Sequence, residues 1–565
     1  MKKRLSAIFA LLLMFGSGIQ AQEFESATDA VKNMGPGWNL GNTLDANNGS
    51  SQDLSSETYW GQPITKPELM VMMKEAGFGA IRVPVTWFNH MDKDGKVDEA
   101  WMKRVHEVVD YVIDAGMYCI VNVHHDTGDG DTHWLHANMD TYNAQKARYE
   151  YLWKQIAEEF KDYDQRLLFE SYNEMLDKYN SWCFATFGSS SRYISADAAD
   201  AYEAINSYAQ SFVNVVRASG GNNAQRNLVV NTYGACNGAG TWNSHLKDPL
   251  TEMKMPDGES NHIAFEVHNY PNISNLASAK KELDQNIKDL QETLGALGTP
   301  VIYGEWGTSS ANGDGTSDYD NNRDNMIDFI QYLVTQTKAA GMGTFYWMGI
   351  TDGSSREYPC FSQPDLAEAI TKAWHGDDFQ GKYPTKQDVL GSSTIIYNVT
   401  YTGDWQELNL CGSAISTSNY KAIRLEMYEL PAENALQFKV YGSDDNHNQG
   451  GVISSTEPNN TLVFNESILG GKTIKRITLQ THIGSRAGTC RVKRAVLIKN
   501  DDTEVETEIS VFWGCTLSTE ILTGINAPRR DDIKDRSLTY SLSGQRVASP
   551  KKGIYIQNGR KYVVR

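Results

Sequence analysis

Eight short apolar runs, separated by amphipathic stretches of helical periodicity, limit the folds open to this 565-residue chain more than any other feature. A strand followed by a helix, repeated along the chain, is typical of a parallel sheet whose strands are connected by helices. We predict an α/β fold, a (β/α)8 TIM barrel, rather than an open doubly wound sheet, because no GxGxxG or GxxxxGKS/T turn follows any run. The runs occupy residues 37–42, 80–87, 118–125, 167–174, 228–233, 263–270, 301–307 and 343–349.

Polar side chains stand at the ends of most of these runs. The stretch RLLFESYNEM (166–175) begins as a buried strand and ends on Asn173 and Glu174. An unpaired carboxylate away from water is costly, so a glutamate in this position indicates a site. In a (β/α)8 barrel the C-terminal strand ends form the active-site face. We therefore expect further strand-end residues to converge there, namely Arg82, His124, His125, His268, Tyr270, Glu305 and Trp347.

Two of these residues are carboxylates that can face each other across the barrel. Glu174 and Glu305 end the fourth and seventh runs, which lie on opposite sides of a closed ring of eight strands. Paired carboxylates without metal ligands suit glycosidic bond cleavage, in which one protonates the leaving oxygen. A separation of about 5–5.5 Å would indicate retention and about 6.5–9.5 Å inversion, and the sequence leaves this distance open.

The neighbours of the two glutamates suggest how the work is divided. We expect Tyr270 and Arg82 to hydrogen-bond Glu305 and keep it ionised as a nucleophile. Asn173 is placed to hold a sugar hydroxyl.

Aromatic residues near the strand ends are expected to offer apolar surfaces to sugar rings. Trp347 is the first choice, with Trp38 and Trp87 as further candidates. A long insertion after the fourth run could line more distant sugar sites with Tyr179, Trp182, Phe184 and Phe187.

The segment HHDTGDGDTHWLH (124–136) is rich in histidine and aspartate, which are common metal ligands. It lacks the calcium-loop spacing and the HExxH or CxxC patterns of zinc sites, so we predict no metal and a surface loop. Neighbouring residues of a strand point to opposite faces, and we place His124 rather than His125 in the site.

After residue 376 the helical pattern gives way to period-two alternation, which predicts a β-sandwich. Its strands are expected within residues 420–430, 435–442, 472–484, 490–501 and 506–514. We predict a signal peptide (1–21), a barrel (22–375), a linker (376–390), a sandwich (391–520) and a C-terminal tail (521–565).

Charge and cysteine content exclude several partners. The formal net charge of −18, without a basic stripe, argues against nucleic acid and favours a neutral substrate. No stretch after the signal peptide is long and apolar enough to predict a membrane span. Seven scattered cysteines form no metal pattern, and Cys183–Cys360 and Cys490–Cys515 are the disulfide pairs we consider.

Six ordered motifs, GWNLGNTLDA, IRVPVTW, VNVHHD, YNEM, VHNY and GEWG, resemble the catalytic domain of glycoside hydrolase family 5. The resemblance covers roughly residues 30–375 and is strongest to the bacterial endoglucanase and xyloglucanase branch. It implies retaining hydrolysis of β-1,4-glucans by a (β/α)8 barrel without an organic cofactor, with Glu174 as acid/base and Glu305 as nucleophile. It also implies a first sugar site surrounded by Arg82, His124, His125, Asn173, His268, Tyr270 and Trp347.

The C-terminal regions resemble known types more loosely. The sandwich is similar to carbohydrate-binding jelly rolls, and the last residues resemble the secretion tails of Bacteroidetes-type bacteria. Such a tail implies an exported protein, extracellular or at the cell surface, with the periplasm as the alternative.

The expected partner is a β-glucan polysaccharide, acted on by a monomer. The alternatives are xyloglucan, mannan or mixed-linkage glucan as substrate, a non-catalytic surface glycan-binding protein, and a metal-dependent hydrolase that chelation would inactivate.

Overall fold

The computed structural model describes most of the chain between residues 23 and 564. The described residues are 23–49, 53–128, 133–181, 193–241, 244–258, 260–308, 316–391, 394–412, 414–429, 431, 435–442, 447–464, 473–482, 488–522, 539–541, 553–557 and 560–564. The predicted signal peptide lies outside these residues, as do Trp182, Phe184 and Phe187 of the predicted aromatic insertion.

The eight predicted strands are all present and close into a parallel barrel in chain order, with the last strand paired to the first. This confirms the predicted (β/α)8 fold. The strands are shorter than the apolar runs at their C-terminal ends. They are β1 (Pro36–Asn39), β2 (Ala80–Val83), β3 (Tyr118–Asn122), β4 (Leu167–Glu170), β5 (Leu228–Asn231), β6 (Ile263–Asn269), β7 (Val301–Trp306) and β8 (Gly343–Trp347).

Helices follow the strands and cover the outside of the barrel. No described helix is long and apolar enough to cross a membrane. The helices are α1 (Ala27–Asn33), α2 (Pro67–Ala76), α3 (Glu99–Asp114), α4 (Met139–Glu159), α5 (Ser195–Ala218), α6 (Asp248–Thr251), α7 (Leu276–Glu292), α8 (Thr316–Ala339), α9 (Ser354–Glu357), α10 (Pro364–His375) and α11 (Lys386–Leu390).

The barrel interior is apolar at its N-terminal end. Helix α1 closes this end and packs against one inward-facing side chain from most of the strands. These side chains are Ala80, Ile120, Leu168, Val229, Ala264, Ile302 and Phe345.

The next inward-facing layer of the barrel is polar. Because side chains alternate along a strand, the residue two positions after each apolar one also faces inward. Its polar members are fully buried, and they are Asn39, Arg82, Asn122, Glu170, Asn231 and Glu266. A buried polar layer of this kind needs internal partners, and it lies directly beneath the mouth of the barrel.

The C-terminal strands form the predicted β-sandwich, with one five-stranded and one six-stranded antiparallel sheet around its own apolar core. Each of the five predicted segments contains a strand. The strands are β9 (Thr394–Tyr401), β10 (Glu407–Cys411), β11 (Tyr420–Glu429), β12 (Leu436–Gly442), β13 (His447–Val452), β14 (Asn459–Val463), β15 (Ile474–Thr481), β16 (Gly488–Lys499), β17 (Glu504–Glu506), β18 (Ser510–Trp513) and β19 (Thr516–Leu522). A separate three-stranded sheet follows, with β20 (Thr539–Ser541), β21 (Gly553–Gln557) and β22 (Arg560–Val564).

Neither disulfide pair considered from the sequence is present. Cys360, Cys490 and Cys515 are buried free thiols, so both proposed pairings are wrong. Cys236 is the described cysteine that takes part in a disulfide.

A buried carboxylate in the sandwich offers a test of this unit's stability. Glu407 accepts hydrogen bonds from Lys439 Nζ (2.8 Å), Thr478 Oγ1 (2.7 Å), Gln480 Nε2 (2.8 Å) and the hydroxyl of Tyr441. We expect Glu407→Ala to lower the free energy of unfolding by about 3 kcal/mol, because removing this carboxylate leaves the partly buried ammonium of Lys439 and three further donors without their acceptor.

Chemical denaturation followed by circular dichroism measures this change. Replacement of the exposed Glu429 on β11 by Ala is the control, and we expect it to change stability by less than about 0.5 kcal/mol. Equal unfolding curves for the two variants would contradict the role assigned to Glu407.

Candidate active site

Glu174 and Glu305 meet at the mouth of the barrel. One carboxylate oxygen of each, together with a ring nitrogen of His268, lie within 4.8 Å of one another. Glu305 is almost fully buried, whereas about a quarter of the Glu174 side chain is exposed to the cleft. The arrangement gives one shielded carboxylate and one that faces solvent.

Glu174 does not lie on a strand, in contrast to the sequence prediction. Strand β4 ends at Glu170, and Glu174 lies in the loop that follows. The loop is held in place because the backbone N–H of Asn173 donates to the carbonyl of Val123 beyond the end of β3 (2.9 Å). The extended sequence pattern continues through this ordered loop, which explains the longer prediction.

Glu305 reaches the mouth through an extra residue in β7. Val267 is paired with Tyr303, but the next residue, His268, is paired with Glu305, so β7 contains one more residue than its neighbour. Bulges of this kind redirect a side chain and are frequent beside active sites.

Arg82 connects the buried polar layer to the mouth. Its guanidinium donates twice to Glu170 (Nε–Oε2 2.6 Å and Nη2–Oε1 2.8 Å) and once to Glu305 (Nη1–Oε1 2.9 Å). It also donates to Asn39 Oδ1 (3.0 Å) and Asn173 Oδ1 (2.8 Å). An arginine has five N–H donors, so each has an acceptor and the guanidinium orientation is fixed.

The predicted hydrogen bonds to Glu305 from Arg82 and Tyr270 are both present. The Tyr270 hydroxyl donates to Glu305 Oε2 (2.7 Å), although about half of the tyrosine surface is exposed. His268 Nδ1 lies 2.7 Å from Glu174 Oε1 and 3.5 Å from Glu305 Oε2. His268 therefore lies between the two carboxylates and contacts both.

The electrostatic surroundings favour an ionised Glu305. Burial opposes ionisation, but the positive charges of His268 and Arg82 and the hydrogen bonds from Tyr270 and Arg82 outweigh it and hold the pKa of Glu305 below its usual value. Burial likewise opposes the protonation of His268. The negative charge of Glu305 and the hydrogen bonds to Glu174 and Glu266 nevertheless raise the pKa of His268 to about 10.

The two adjacent histidines have different environments. His124 is buried, with Nε2 3.8 Å from Glu305 Oε1. Burial, followed by the charges of His125 and Arg82, holds the pKa of His124 well below its ordinary value, so this ring is neutral. His125 is partly exposed and lies 3.6 Å from Asp45 Oδ2. Of the two histidines, His124 is the one in contact with the carboxylate pair.

The tryptophans divide into one at the site and two in the core. Trp347 is partly exposed, and its ring is parallel to that of His124, with centroids 5.8 Å apart. Trp38 and Trp87 are fully buried and donate to the backbone carbonyls of Met348 and Asn122, so their prediction as sugar platforms was wrong.

Three residues near the mouth were missed by the sequence reasoning. Trp60 is 39% exposed and lies edge-on to His125, with ring centroids 5.1 Å apart. Glu170 and Glu266 belong to the buried polar layer, one in contact with Arg82 and the other with both Arg82 and His268. For the two glutamates, the available sequence signal was a charged residue inside an otherwise apolar strand, as in LLFE and IAFEV.

The mouth opens into a large cleft of about 1360 Å³. Trp60, Tyr270 and Trp347 line its barrel side, and the sandwich contributes Asn409 and Arg494 at the other end. The exposed side chain of Tyr179 also lies on the described surface beyond β4. The cleft is lined by both apolar rings and polar groups.

Two groups of described residues bring three metal-ligating side chains together. They are Asp45 with His124 and His125, and Glu174 with His268 and Glu305. In the second group the closest contact is a hydrogen bond, with His268 Nδ1 2.7 Å from Glu174 Oε1.

Comparison with known proteins gives a consistent family. The model of the cellulase family (glycosyl hydrolase family 5) matches residues 44–352. Endoglucanase B of Neocallimastix patriciarum is 31% identical over 386 residues, which cover 65% of this chain and 74% of that protein. Endoglucanase A of Clostridium longisporum is 32% identical over 58% of this chain and 60% of its own length.

Solved structures agree with these sequence relatives. A GH5-4 broad specificity endoglucanase from an uncultured bacterium has 57% identity and a TM-score of 0.61, covering 64% of this chain and 98% of that chain. PbGH5A from Prevotella bryantii, solved as a mutant with a xyloglucan tetradecasaccharide, has 41% identity and a TM-score of 0.56, covering 62% and 99%. With its closed barrel and paired glutamates, the chain belongs to glycosyl hydrolase family 5, the cellulase family, and is a glycosidase.

Proposed function

We propose that the protein is a retaining endo-β-1,4-glucanase in which Glu305 is the nucleophile and Glu174 the acid/base. The observation that carries this proposal is that one carboxylate oxygen of Glu174 and one of Glu305 lie within 4.8 Å of each other at the barrel mouth. Retaining glycosidases place their carboxyl groups about 5–5.5 Å apart, whereas inverting enzymes leave room for a water at about 6.5–9.5 Å.

The reaction proceeds in two displacements. In the first, Glu305 attacks the anomeric carbon, the glycosidic C–O bond breaks, and protonated Glu174 gives its proton to the leaving oxygen. In the second, water attacks the glycosyl-enzyme ester and Glu174 accepts the proton of that water, which restores both glutamates. The low pKa of Glu305 suits the first role, and the partial exposure of Glu174 to the cleft suits the second.

The surrounding residues are proposed to bind the sugar at the cleavage point. Asn173 accepts from Arg82 through Oδ1, which leaves its amide nitrogen for a sugar hydroxyl. Trp347 offers an apolar face, and Tyr270 and His268 hold the carboxylates in place. Arg82, His124 and His125 complete the proposed set.

The substrate is proposed to be a neutral β-1,4-glucan. Sequence relatives are named endoglucanases, a structural relative is named as having broad specificity, and another was solved with xyloglucan. Xyloglucan and mixed-linkage glucan are therefore the nearest alternatives to cellulose-type chains, with mannan after them. This double displacement uses only side chains of the protein and water.

We also propose that the protein is exported and acts as a monomer. The proposal of export rests on the signal-like residues 1–21 and the secretion-like tail.

The sandwich is proposed to bind glycan as well. Trp513 is 57% exposed and Trp405 is 40% exposed, so neither belongs to the sandwich core. The two lie near each other, because Trp513 is paired with Glu407 and Gln406 packs against Gly514. Exposed aromatic rings on one surface are suited to stacking on sugar rings.

Replacement of the paired glutamates tests the catalytic proposal. We expect Glu174→Gln and Glu305→Gln each to lower kcat by at least about 10²–10⁴-fold, because a positioned proton donor alone contributes that much. Reducing-end release from carboxymethylcellulose, barley β-glucan, xyloglucan and glucomannan measures the effect, and the wild-type ranking identifies the substrate.

The two variants are also expected to differ from each other. An aryl cellobioside with a good leaving group needs little protonation, so glycosylation by Glu174→Gln should recover while that by Glu305→Gln should not. Glu203→Gln, at an exposed position on α5, is the control. A wild-type protein that binds these glycans without cleaving them would instead be a glycan-binding protein.

The Tyr270 hydroxyl is expected to set the acid limb of the pH profile. Glu305 is ionised above its lowered pKa, and activity is lost as the pH falls through that value. Tyr270→Phe removes one of the groups that lower this pKa, so the acid limb of kcat/KM should move to higher pH by about one unit.

Tyr332→Phe is the matched control, because its hydroxyl also donates to a carboxylate, Asp284, but does so on the surface. An acid limb that stays at the wild-type pH in Tyr270→Phe would show that this hydrogen bond does not control Glu305.

Removal of the exposed tryptophans tests the sandwich proposal. The double variant Trp405→Ala/Trp513→Ala should bind insoluble cellulose about tenfold more weakly while cleaving soluble glucan at the wild-type rate. Tyr428→Ala, which removes a ring that is 50% exposed on the other sheet, is the control. Sedimentation with the polysaccharide measures binding, and equal binding by all three proteins would refute the proposal.

A further inference from the structure

A third carboxyl group lies behind the paired glutamates. Glu266 is on β6, two residues before His268, and is fully buried in the polar layer of the barrel. Its Oε1 is 3.3 Å from His268 Nε2 and 3.4 Å from Arg82 Nε. Among the described residues, no group is within hydrogen-bonding distance of its Oε2. The Glu266 carboxyl group therefore contacts His268 and Arg82 from the buried side of the site.

The Glu266 carboxyl group packs closely against the backbone of β7. A methyl group at Gly304, in the adjacent strand β7, would overlap the Glu266 carboxyl group. The glycine before the proposed nucleophile thus makes room for this carboxyl. A residue accommodated in this way is held at its distance from His268 by the backbone.

His268 contacts a carboxylate through each ring nitrogen. Nε2 faces Glu266, and Nδ1 faces Glu174 at 2.7 Å and Glu305 at 3.5 Å. When one nitrogen of an imidazole is bound to a carboxylate, the ring orientation and the group presented by the other nitrogen are fixed. Glu266 is therefore in a position to hold the Nδ1–H of His268 towards Glu174.

We propose that Glu266 is a positioning residue for the hydrolysis, acting through His268 to orient and tune the acid/base Glu174. The proposal rests on the proposed function, since it takes Glu174 as the proton donor. When Glu174 gives its proton to the leaving oxygen, the Nδ1–H of His268 stabilises the carboxylate that forms. No proton passes to Glu266 in this step.

The charges around Glu266 determine how it acts with pH. The groups that face it are Arg82 on β2, Glu170 on β4, His268 on β6 and Glu305 on β7, with His124 beyond β3 and Glu174 beyond β4. Burial and the negative charge of Glu170 raise the pKa of Glu266 to about 7, against the opposing charges of Arg82 and His268. As the pH rises above 7, Glu266 becomes negative, which favours the protonated form of His268 beside Glu174.

The test is the variant Glu266→Gln, which keeps the shape and removes the charge. We expect kcat to fall about tenfold with KM unchanged, because a residue that orients a functional group typically contributes about 10–100-fold. The alkaline limb of kcat/KM should move to lower pH by about one unit, since the carboxylate that helps to keep His268 protonated is absent.

Matched measurements separate this role from simple stabilisation. Tyr303→Phe in β7 removes a buried hydroxyl that donates to Asn286 on the outer side of the barrel, and it should leave the pH profile unchanged. A stable Glu266→Gln protein with the wild-type kcat and alkaline limb would overturn the proposal. If the wild type itself cleaves no glycan, the proposed function is refuted, which is distinct from an active wild type and an equally active Glu266→Gln variant.

A measurement on the wild type covers the case in which Glu266→Gln does not fold. Nitrogen-15 resonances of His268, followed between pH 5 and 9, should show a step near pH 7 as Glu266 ionises while the ring stays protonated. The absence of such a step would overturn the proposal.

Discussion

The side chain of Arg82 carries a permanent positive charge inside the barrel, where none of its surface reaches solvent. Burying an unpaired charge costs several kcal/mol, and a buried ion pair is tolerated only when its remaining hydrogen bonds are also made. The five acceptors around the guanidinium meet this requirement, and they come from loops and strands on different sides of the barrel. The positions of Asn173 and Glu305 therefore follow from the burial of Arg82, because both side chains supply acceptors that the buried guanidinium needs.

The extra residue in strand β7 is the second constraint on the arrangement of the site. In a regular strand Gly304 and Glu305 would point to opposite faces. The extra residue changes the pairing with both neighbouring strands, so that Glu305 reaches Arg82 and Tyr270 while Gly304 leaves space for Glu266. Four carboxyl groups thus share a small volume with two cations, and burial and the charge of Glu170 raise the pKa of Glu266 to about 7.

The barrel was predictable because its eight apolar runs form strands that are buried on both faces, a pattern that survives in a single sequence. The strand ends were less predictable. The apolar pattern continues past Glu170 into the ordered loop that carries Asn173 and Glu174. Trp38 and Trp87 could not be separated from Trp347 by sequence, since all three lie in or close to a predicted strand and their burial is not visible in the sequence. Glu170 and Glu266 depend on which face of a strand is inward, which the continuous apolar runs do not reveal.

The charges of the mouth also bear on the substrate. Glu170, Glu174, Glu266 and Glu305 outnumber the cations Arg82 and His268, and the chain as a whole is acidic. The N–H donors of Arg82 all have protein acceptors, and both ring nitrogens of His268 contact carboxylates, so neither cation has a donor left for an anionic sugar. A polysaccharide that carries carboxylates would meet repulsion at the proposed cleavage point, whereas the hydroxyls of a neutral glucan can accept from Asn173 and its sugar rings can stack on Trp347. The electrostatics that keep Glu305 ionised therefore also favour a neutral chain.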